Sequence, residues 1–236
     1  MHSKEIELQI LLPVFNEEKH IETTLEEIHL SLKNKINYQF IISEDGSTDG
    51  TKTILKRLKD RYNFILISDM SRKGYSKAVM DGMSIATTSY LMILDSDGQC
   101  DSSEINKFWE YRKNFDIICG NRIDRKDFMY RKIFSQIAYL IYNILFNVPL
   151  RDPSYACVLM NKNVYSSLRG YEVLCEYGFF WEFNARAKKK NFSFKEINVN
   201  HKLRKQGHTR IYFIRKLPMI AIKHFWAFIK IKFFIK

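Results

Sequence analysis

The sequence predicts an α/β fold, a mostly parallel β-sheet flanked by helices. Short apolar runs suited to buried strands alternate with stretches whose apolar residues recur at helical spacing. Several of the runs also end abruptly in acidic or glycine-containing turns. Strands separated by helices join through right-handed crossovers, and ligands of such sheets gather at the carboxyl edge of the strands.

Taken in order, Ile6 to Val14 reads as a buried strand closed by Pro13. Asn16-Glu17-Glu18 then opens a helix with Ile21, Leu25 and Ile28 on one face. Phe40 to Ser43 is a second strand, running into Glu44-Asp45-Gly46-Ser-Thr-Asp49-Gly50 and a helix carrying Ile54, Leu55 and Leu58. A third strand, Phe64 to Ile67, is followed by a helix over Lys77 to Ala86. Tyr90 to Leu94 is the fourth strand, and it ends in Asp95-Ser-Asp97-Gly98-Gln99. Further on, Ile133, Ile137, Leu140, Ile144 and Val148 fall at helical spacing and read as one packed face. No internal repeat or low-complexity linker interrupts the pattern.

A chain of 236 residues with 46% hydrophobic content is one globular domain with a sizeable core. Its four cysteines are scattered, without a Cys-x-x-Cys pair, which argues against zinc and a disulfide framework and points to a reducing compartment. The first residues, Met1-His-Ser-Lys-Glu, contain no apolar segment, so no secretory signal is expected. Charge is uneven. From Arg186 to Lys236 fifteen Lys and Arg face the single acid Glu196, a net +14 within a chain total of +12, so the first 185 residues carry −2.

That asymmetry divides the chain into a main domain, 1–210, and a basic tail, 211–236, suited to an anionic partner. The tail mixes Ile, Phe, Met219 and Trp226 with Arg215, Lys216, Lys223, Lys230 and Lys232. Its uncharged runs, such as Leu217 to Ile222, fall far short of the ~20 residues a spanning helix needs. Amphipathic helices lying on an anionic membrane surface fit best; an oligomer interface or a docking surface is the alternative. Nucleic acid is disfavoured. The basic residues are interleaved with aliphatics, and no zinc-finger, homeodomain or RNA-recognition signature is present.

The carboxylates of Asp95 and Asp97 can converge once the chain turns at Gly98, offering hard oxygen ligands to Mg2+ or Mn2+, which in turn bind phosphate. Read alone, an acidic turn capping a strand is the simpler account. Glu44, Asp45 and Asp49 could hold a nucleobase or ribose, or form a turn with a helix cap. Neither a Walker loop nor G-x-G-x-x-G is present, which excludes the usual ATPase and dehydrogenase sites.

Pro13-Val-Phe-Asn16-Glu17-Glu18, Glu44-Asp45-Gly-Ser-Thr-Asp49-Gly-Thr, Gly74-Tyr-Ser-Lys-Ala78-Val-Met-Asp-Gly82 and Asp95-Ser-Asp97-Gly-Gln99 occur in this order. Gly120-Asn-Arg122, Arg131 with Ser135, Asp152-Pro-Ser154, Trp181-Glu182, Lys195-Glu196 and Arg204-Lys-Gln-Gly207 follow. The set resembles the family 2 inverting glycosyltransferases of the GT-A fold, Rossmann-like in its sheet. Within them it is most similar to the dolichyl-phosphate mannose synthase and polyprenyl-phosphate sugar transferase group. It departs from that pattern at Ser71-Arg72-Lys73, which lacks an Asn, at Ser76 in place of Gly, and in the segments Asp152 to Cys157 and Gly207 to Arg210.

The resemblance implies that Asp95, Asp97 and Gln99 hold Mg2+ or Mn2+ against the donor diphosphate, with Asp97 catalytic. It implies that Pro13, Phe15, Glu17 and Asp45, with Asp95, line the nucleotide-sugar pocket, although Phe15 suits plain core packing as well. Arg122, Arg131, Ser135 and Arg204 are implied phosphate or acceptor contacts, a guanidinium fork matching phosphate oxygens. A lipid phosphate acceptor needs no general base, whereas an alcohol acceptor needs a carboxylate. Glu182, in the aromatic segment Tyr177 to Trp181, is the candidate base, or else a structural carboxylate paired with a cation. The implied reaction is metal-dependent, inverting transfer from a UDP- or GDP-sugar to polyprenyl phosphate by a peripheral protein on the cytoplasmic face of the membrane. Transfer to a saccharide hydroxyl is the alternative. A non-catalytic membrane scaffold is a third reading, against which the intact acidic motif speaks.

Overall fold

In the computed structural model the strands β1 (Leu8–Val14), β2 (Tyr38–Glu44), β3 (Ile65–Ser68), β4 (Tyr90–Leu94), β5 (Ile117–Ile123), β6 (Cys157–Asn161) and β7 (Phe194–Asn200) form one sheet in the order β3-β2-β1-β4-β6-β5-β7. The structure describes residues 5–62, 64–123, 129–175, 178–200, 202 and 217–235, with backbone alone for 129–135, 217 and 218. The pairs β1–β2, β1–β4, β2–β3 and β5–β7 are parallel. Only β6 runs against its neighbours β4 and β5 among the described strands. The expected mostly parallel α/β sheet is therefore present, and its single reversal lies beyond the four strands read individually from the sequence.

The apolar runs form strands here because both faces of the sheet are covered. Leu11, Leu91, Ile93, Val158 and Met160 pack on one side, and Ile10, Leu12, Met92, Leu94 and Leu159 on the other. Successive side chains point to opposite faces, so a strand covered on both sides can be apolar at nearly every position. The second face is covered by α1 (Ile21–Leu32), α2 (Thr51–Tyr62) and α4 (Ile105–Tyr111), through residues such as Leu25, Leu55 and Phe108. The first is covered by α3 (Tyr75–Ile85), α5 (Met129–Phe146), α6 (Lys162–Leu168), α7 (Phe179–Lys189) and α8 (Leu217–Phe233). Pro13 sits inside β1 rather than after it, opposite Ser43 of β2, while pairing with β4 stops at Leu11. That position spares β1 a hydrogen bond Pro cannot donate.

The helix α8 lies within the segment expected as an appended tail, yet it shares the main core. Phe228 and Ile231 are buried with Tyr142 and Phe146 of α5, and Phe228 also meets Trp181 of α7. The Lys189 ammonium donates to the C=O groups of Ile231 (2.8 Å), Lys232 (3.2 Å) and Ile235 (2.5 Å), satisfying carbonyls left over at a helix end.

The helix α3 approaches β1 so closely that a Cβ added at Gly82 would stand 2.1 Å from Leu11 Cδ1. Leu11 is fully buried and has no room to withdraw. Gly82→Val is expected to lower stability by about 1–3 kcal/mol through overpacking, read as a lower denaturation midpoint in urea.

Candidate active site

The ends of β1, β2 and β4 lie side by side in the sheet, and the turns leaving them are tied to one another. Asn16, at φ 54°, lies in the left-handed region that Asn tolerates. Its N–H donates to Ser47 Oγ (2.9 Å), and its side-chain oxygen accepts from the Thr48 N–H (2.7 Å). The Glu17 N–H donates to Thr51 Oγ1 (2.9 Å). These bonds join the turn after β1 to the turn after β2. Thr51 in turn receives its cap from Asp49, whose Oδ1 accepts its N–H at 3.0 Å. Glu44 is buried and accepts from the Ser47 N–H (2.5 Å) and Ser68 Oγ (2.9 Å), so it is turn and cap chemistry that occupies Glu44 and Asp49.

Asp45 faces a different loop. Its buried carboxylate accepts the N–H groups of Lys73 (2.6 Å) and Gly74 (2.9 Å). Gly46, at φ +70°, presses against the same loop: a Cβ there would stand 2.4 Å from the Ser71 carbonyl carbon. The Arg72 guanidinium lies 4.2 Å over the Phe15 ring. Phe15 is thus half-buried beneath a cation beside Asp45, and it is not one of the fully packed core residues.

The turn after β4 is anchored through Ser96. Its hydroxyl donates to the Pro13 C=O (2.8 Å), and its own C=O accepts from Thr24 Oγ1 (3.2 Å). Gly98 at φ +72° lets the chain reverse, and the Gln99 N–H donates to Asp97 Oδ1 (3.1 Å). The two carboxylates thereby come close enough to interact. Burial first, and then the Asp97 charge, push Asp95 up to about 7, partly offset by the Tyr75 hydroxyl and Arg122. Tyr75 donates to Asp95 Oδ1 at 3.0 Å. The Gln99 side chain donates to the Lys202 C=O (3.3 Å), and the Lys202 ammonium reaches Glu27 (3.1 Å) and Asp101 (3.5 Å).

Arg122 is held from below. Its guanidinium makes a two-point contact with Asp152 (2.6 and 3.0 Å), reaches Ser154 Oγ (3.2 Å) and lies 4.8 Å over the Tyr155 ring. Asp152 is positioned in turn by Glu196, whose Oε1 accepts the N–H groups of Arg151 (2.5 Å) and Asp152 (3.2 Å). Glu182 is fully buried, with one oxygen accepting from Leu174 N–H (2.8 Å) and Cys175 N–H (2.9 Å). Its other oxygen binds the Arg186 guanidinium at 2.7 and 2.9 Å. That is the arrangement of a carboxylate fixing a loop to a helix. The side chains of Arg131 and Ser135, and Arg204 as a whole, lie outside the described residues.

The arrangement fits a hard divalent cation. Two oxygen-donor carboxylates are brought together, and the ionised form of one is disfavoured until positive charge arrives. Among the described residues no third His, Cys, Asp or Glu joins them in a cluster, so a cation held here would need further oxygen donors. Sequence reasoning missed three participants: Tyr75, Arg72 over Phe15, and Asp152 as the holder of Arg122. Each sits inside a quoted motif or beside one, but its partner is distant in the chain. Cys100 and Cys157, far apart in sequence, are also neighbours, free thiols with sulfurs 3.5 Å apart.

The fold superposes on glucosyl-3-phosphoglycerate synthase from Mycobacterium tuberculosis in complex with Mn2+, UDP and phosphoglyceric acid. The TM-score is 0.74 over 96% of this chain and 78% of that one, at 12% identity. The complex of the same enzyme with Mg2+ and UDP gives a TM-score of 0.72 at 12% identity, over 96% of this chain and 79% of that one. The fold is the GT-A fold of glycosyltransferases. The chain belongs to glycosyl transferase family 2, whose family model matches residues 9–169.

Among curated relatives, a dolichol-phosphate mannosyltransferase of Pyrococcus furiosus is 26% identical over 184 residues, 72% of this chain and 52% of the relative. A dodecaprenyl-phosphate galacturonate synthase of Rhizobium johnstonii is 29% identical over 160 residues, 65% of this chain and 47% of the relative. The chain spans about half the length of these relatives.

Proposed function

We propose that the protein transfers a sugar from a UDP- or GDP-sugar to polyprenyl phosphate at an anionic membrane surface. The observation that carries this reading is that the acidic strand ends share one fold with exposed apolar side chains on α5 and α8. The stripe expected to pack as one face is not buried along its length: Val148 is buried, but Ile137, Leu140 and Ile144 of α5 are exposed, because nothing among the described residues covers them. Ile222, Trp226 and Phe233 of α8 are exposed too, with Lys223, Lys230 and Lys232 among the α8 residues. Apolar groups interleaved with lysines suit the boundary between lipid headgroups and acyl chains. Among the described residues no helix is long and apolar enough to cross a membrane. The names of the two curated relatives, both of which are polyprenyl-phosphate enzymes, support the same acceptor class.

In this reading Pro13, Phe15, Glu17 and Asp45 line the nucleoside side of the donor pocket. Asp95, Asp97 and Gln99 hold Mg2+ or Mn2+, which when bound supplies charge neutralisation for the departing nucleotide diphosphate. Arg122, whose Nε and Nη2 are held by Asp152, would turn its remaining guanidinium N–H groups to phosphate, and Arg131, Ser135 and Arg204 would add acceptor contacts. An acceptor phosphate oxygen is already anionic and attacks the anomeric carbon without a general base. That agrees with a Glu182 whose oxygens are both engaged. The membrane face would be the cytoplasmic one, where nucleotide sugars are available.

The test is nucleotide-sugar consumption by purified protein with Mn2+ or Mg2+, with and without short-chain polyprenyl phosphate, across UDP- and GDP-sugars. Turnover that requires the lipid phosphate is the expected result. Donor consumption that instead requires a saccharide would move the acceptor assignment to a hydroxyl.

A further inference from the structure

Three consecutive residues, Lys73, Gly74 and Tyr75, bridge the carboxyl ends of β2 and β4 across the end of β1. The N–H groups of Lys73 and Gly74 are held by the Asp45 carboxylate at 2.6 and 2.9 Å. Gly74 leaves that contact at φ 98°, ψ 157°, a conformation open to glycine, and Tyr75 then begins α3. The Tyr75 hydroxyl donates to Asp95 Oδ1 at 3.0 Å. The loop cannot shift freely, because Gly46 lies against the backbone of Ser71 and Arg72. Asp45 on the nucleoside side and Asp95 on the acidic side are therefore linked through one short, braced segment.

We propose that Tyr75 is a positioning residue for Asp95, setting the orientation in which this carboxylate receives the divalent cation and linking that orientation to the loop held by Asp45. The inference rests on the metal-dependent transferase reading above. A carboxylate has two oxygens and rotates about one bond. A hydroxyl fixed on Oδ1 leaves Oδ2 directed and available, and so lowers the cost of ordering the site when the cation binds. Tyr75 as a residue is about a third exposed (36%), and Tyr75→Phe keeps the ring while removing only the hydroxyl that reaches Asp95.

The experiment is Tyr75→Phe in the full chain, with Mn2+ affinity read by electron paramagnetic resonance of free Mn2+, alone and with saturating UDP or GDP, and without acceptor. Mn2+ affinity is expected to fall roughly 10-fold, the lower end of what loss of a hydrogen bond to a metal ligand costs. The melting temperature and metal-free nucleotide affinity are expected to stay at wild-type values. At saturating Mn2+, kcat is expected to return to within about 2-fold of wild type, since only the ordering of the site is lost. Wild-type Mn2+ affinity in the variant would overturn the inference while leaving the metal reading intact. Metal-free nucleotide affinity falling in parallel would also overturn it, by assigning Tyr75 to loop packing. Wild-type protein that binds no Mn2+ either alone or with UDP or GDP would overturn the metal reading and this inference together.

Discussion

In the proposed arrangement Asp97→Asn is expected to lower turnover by at least roughly 100-fold, because it removes a formal negative charge from the pair of carboxylates that would hold the cation. The fold should not notice. Asp97 accepts the Gln99 N–H through Oδ1 at 3.1 Å, and an asparagine carbonyl oxygen accepts the same bond. The turn is further held by Ser96 on Pro13 and by Thr24 on Ser96, neither of which involves Asp97. Turnover at saturating donor and Mn2+, measured beside a thermal melt, checks both halves. A variant retaining more than a tenth of wild-type turnover would remove Asp97 from the reaction centre.

The second large effect is on stability. Glu182→Ala is expected to destabilise the fold by about 3–5 kcal/mol, the range for breaking a buried ion pair from one side. Arg186, itself buried, would lose its carboxylate, and the N–H groups of Leu174 and Cys175 would lose their acceptor. At roughly 2–4 °C per kcal/mol for a chain of this size, the melting temperature should drop by about 10 °C. The same measurement separates two roles for this residue. Loss of a general base would leave the melt unchanged and abolish turnover in the folded protein. Loss of a structural carboxylate lowers the melt while folded protein at low temperature still turns over.

Other parts of the site were legible because they depend on residues near in sequence. The Asp-x-Asp-Gly turn after Leu94 could be placed at a strand end, since an apolar run and a glycine at positive φ are both local properties. The Glu44 to Thr51 segment could be read as turn and cap chemistry for the same reason, and Asp49 does cap α2. Asp45 belongs to that stretch but was drawn elsewhere by Lys73 and Gly74, nearly thirty residues away. Periodicity likewise gave α3 as Lys77 to Ala86, while the structure starts it at Tyr75, because Gly74 turns the chain directly into the helix.

The sequence by itself determined the alternation of strands and helices, the acidic strand ends and the basic, apolar character of the last residues. Each of these follows from spacing along the chain: two residues per strand repeat, 3.6 per helical turn, and glycine where the backbone must reverse. Only the tertiary structure decided that β6 runs against its neighbours and that α8 belongs to the core. It alone put Tyr75 on Asp95, Asp152 under Arg122 and Arg186 on Glu182. Those outcomes depend on which buried faces pack together and on where each buried charge finds a partner. A buried carboxylate must be compensated, but nothing in its own neighbourhood of sequence says by whom, because the compensating group is chosen by the packing of whole elements.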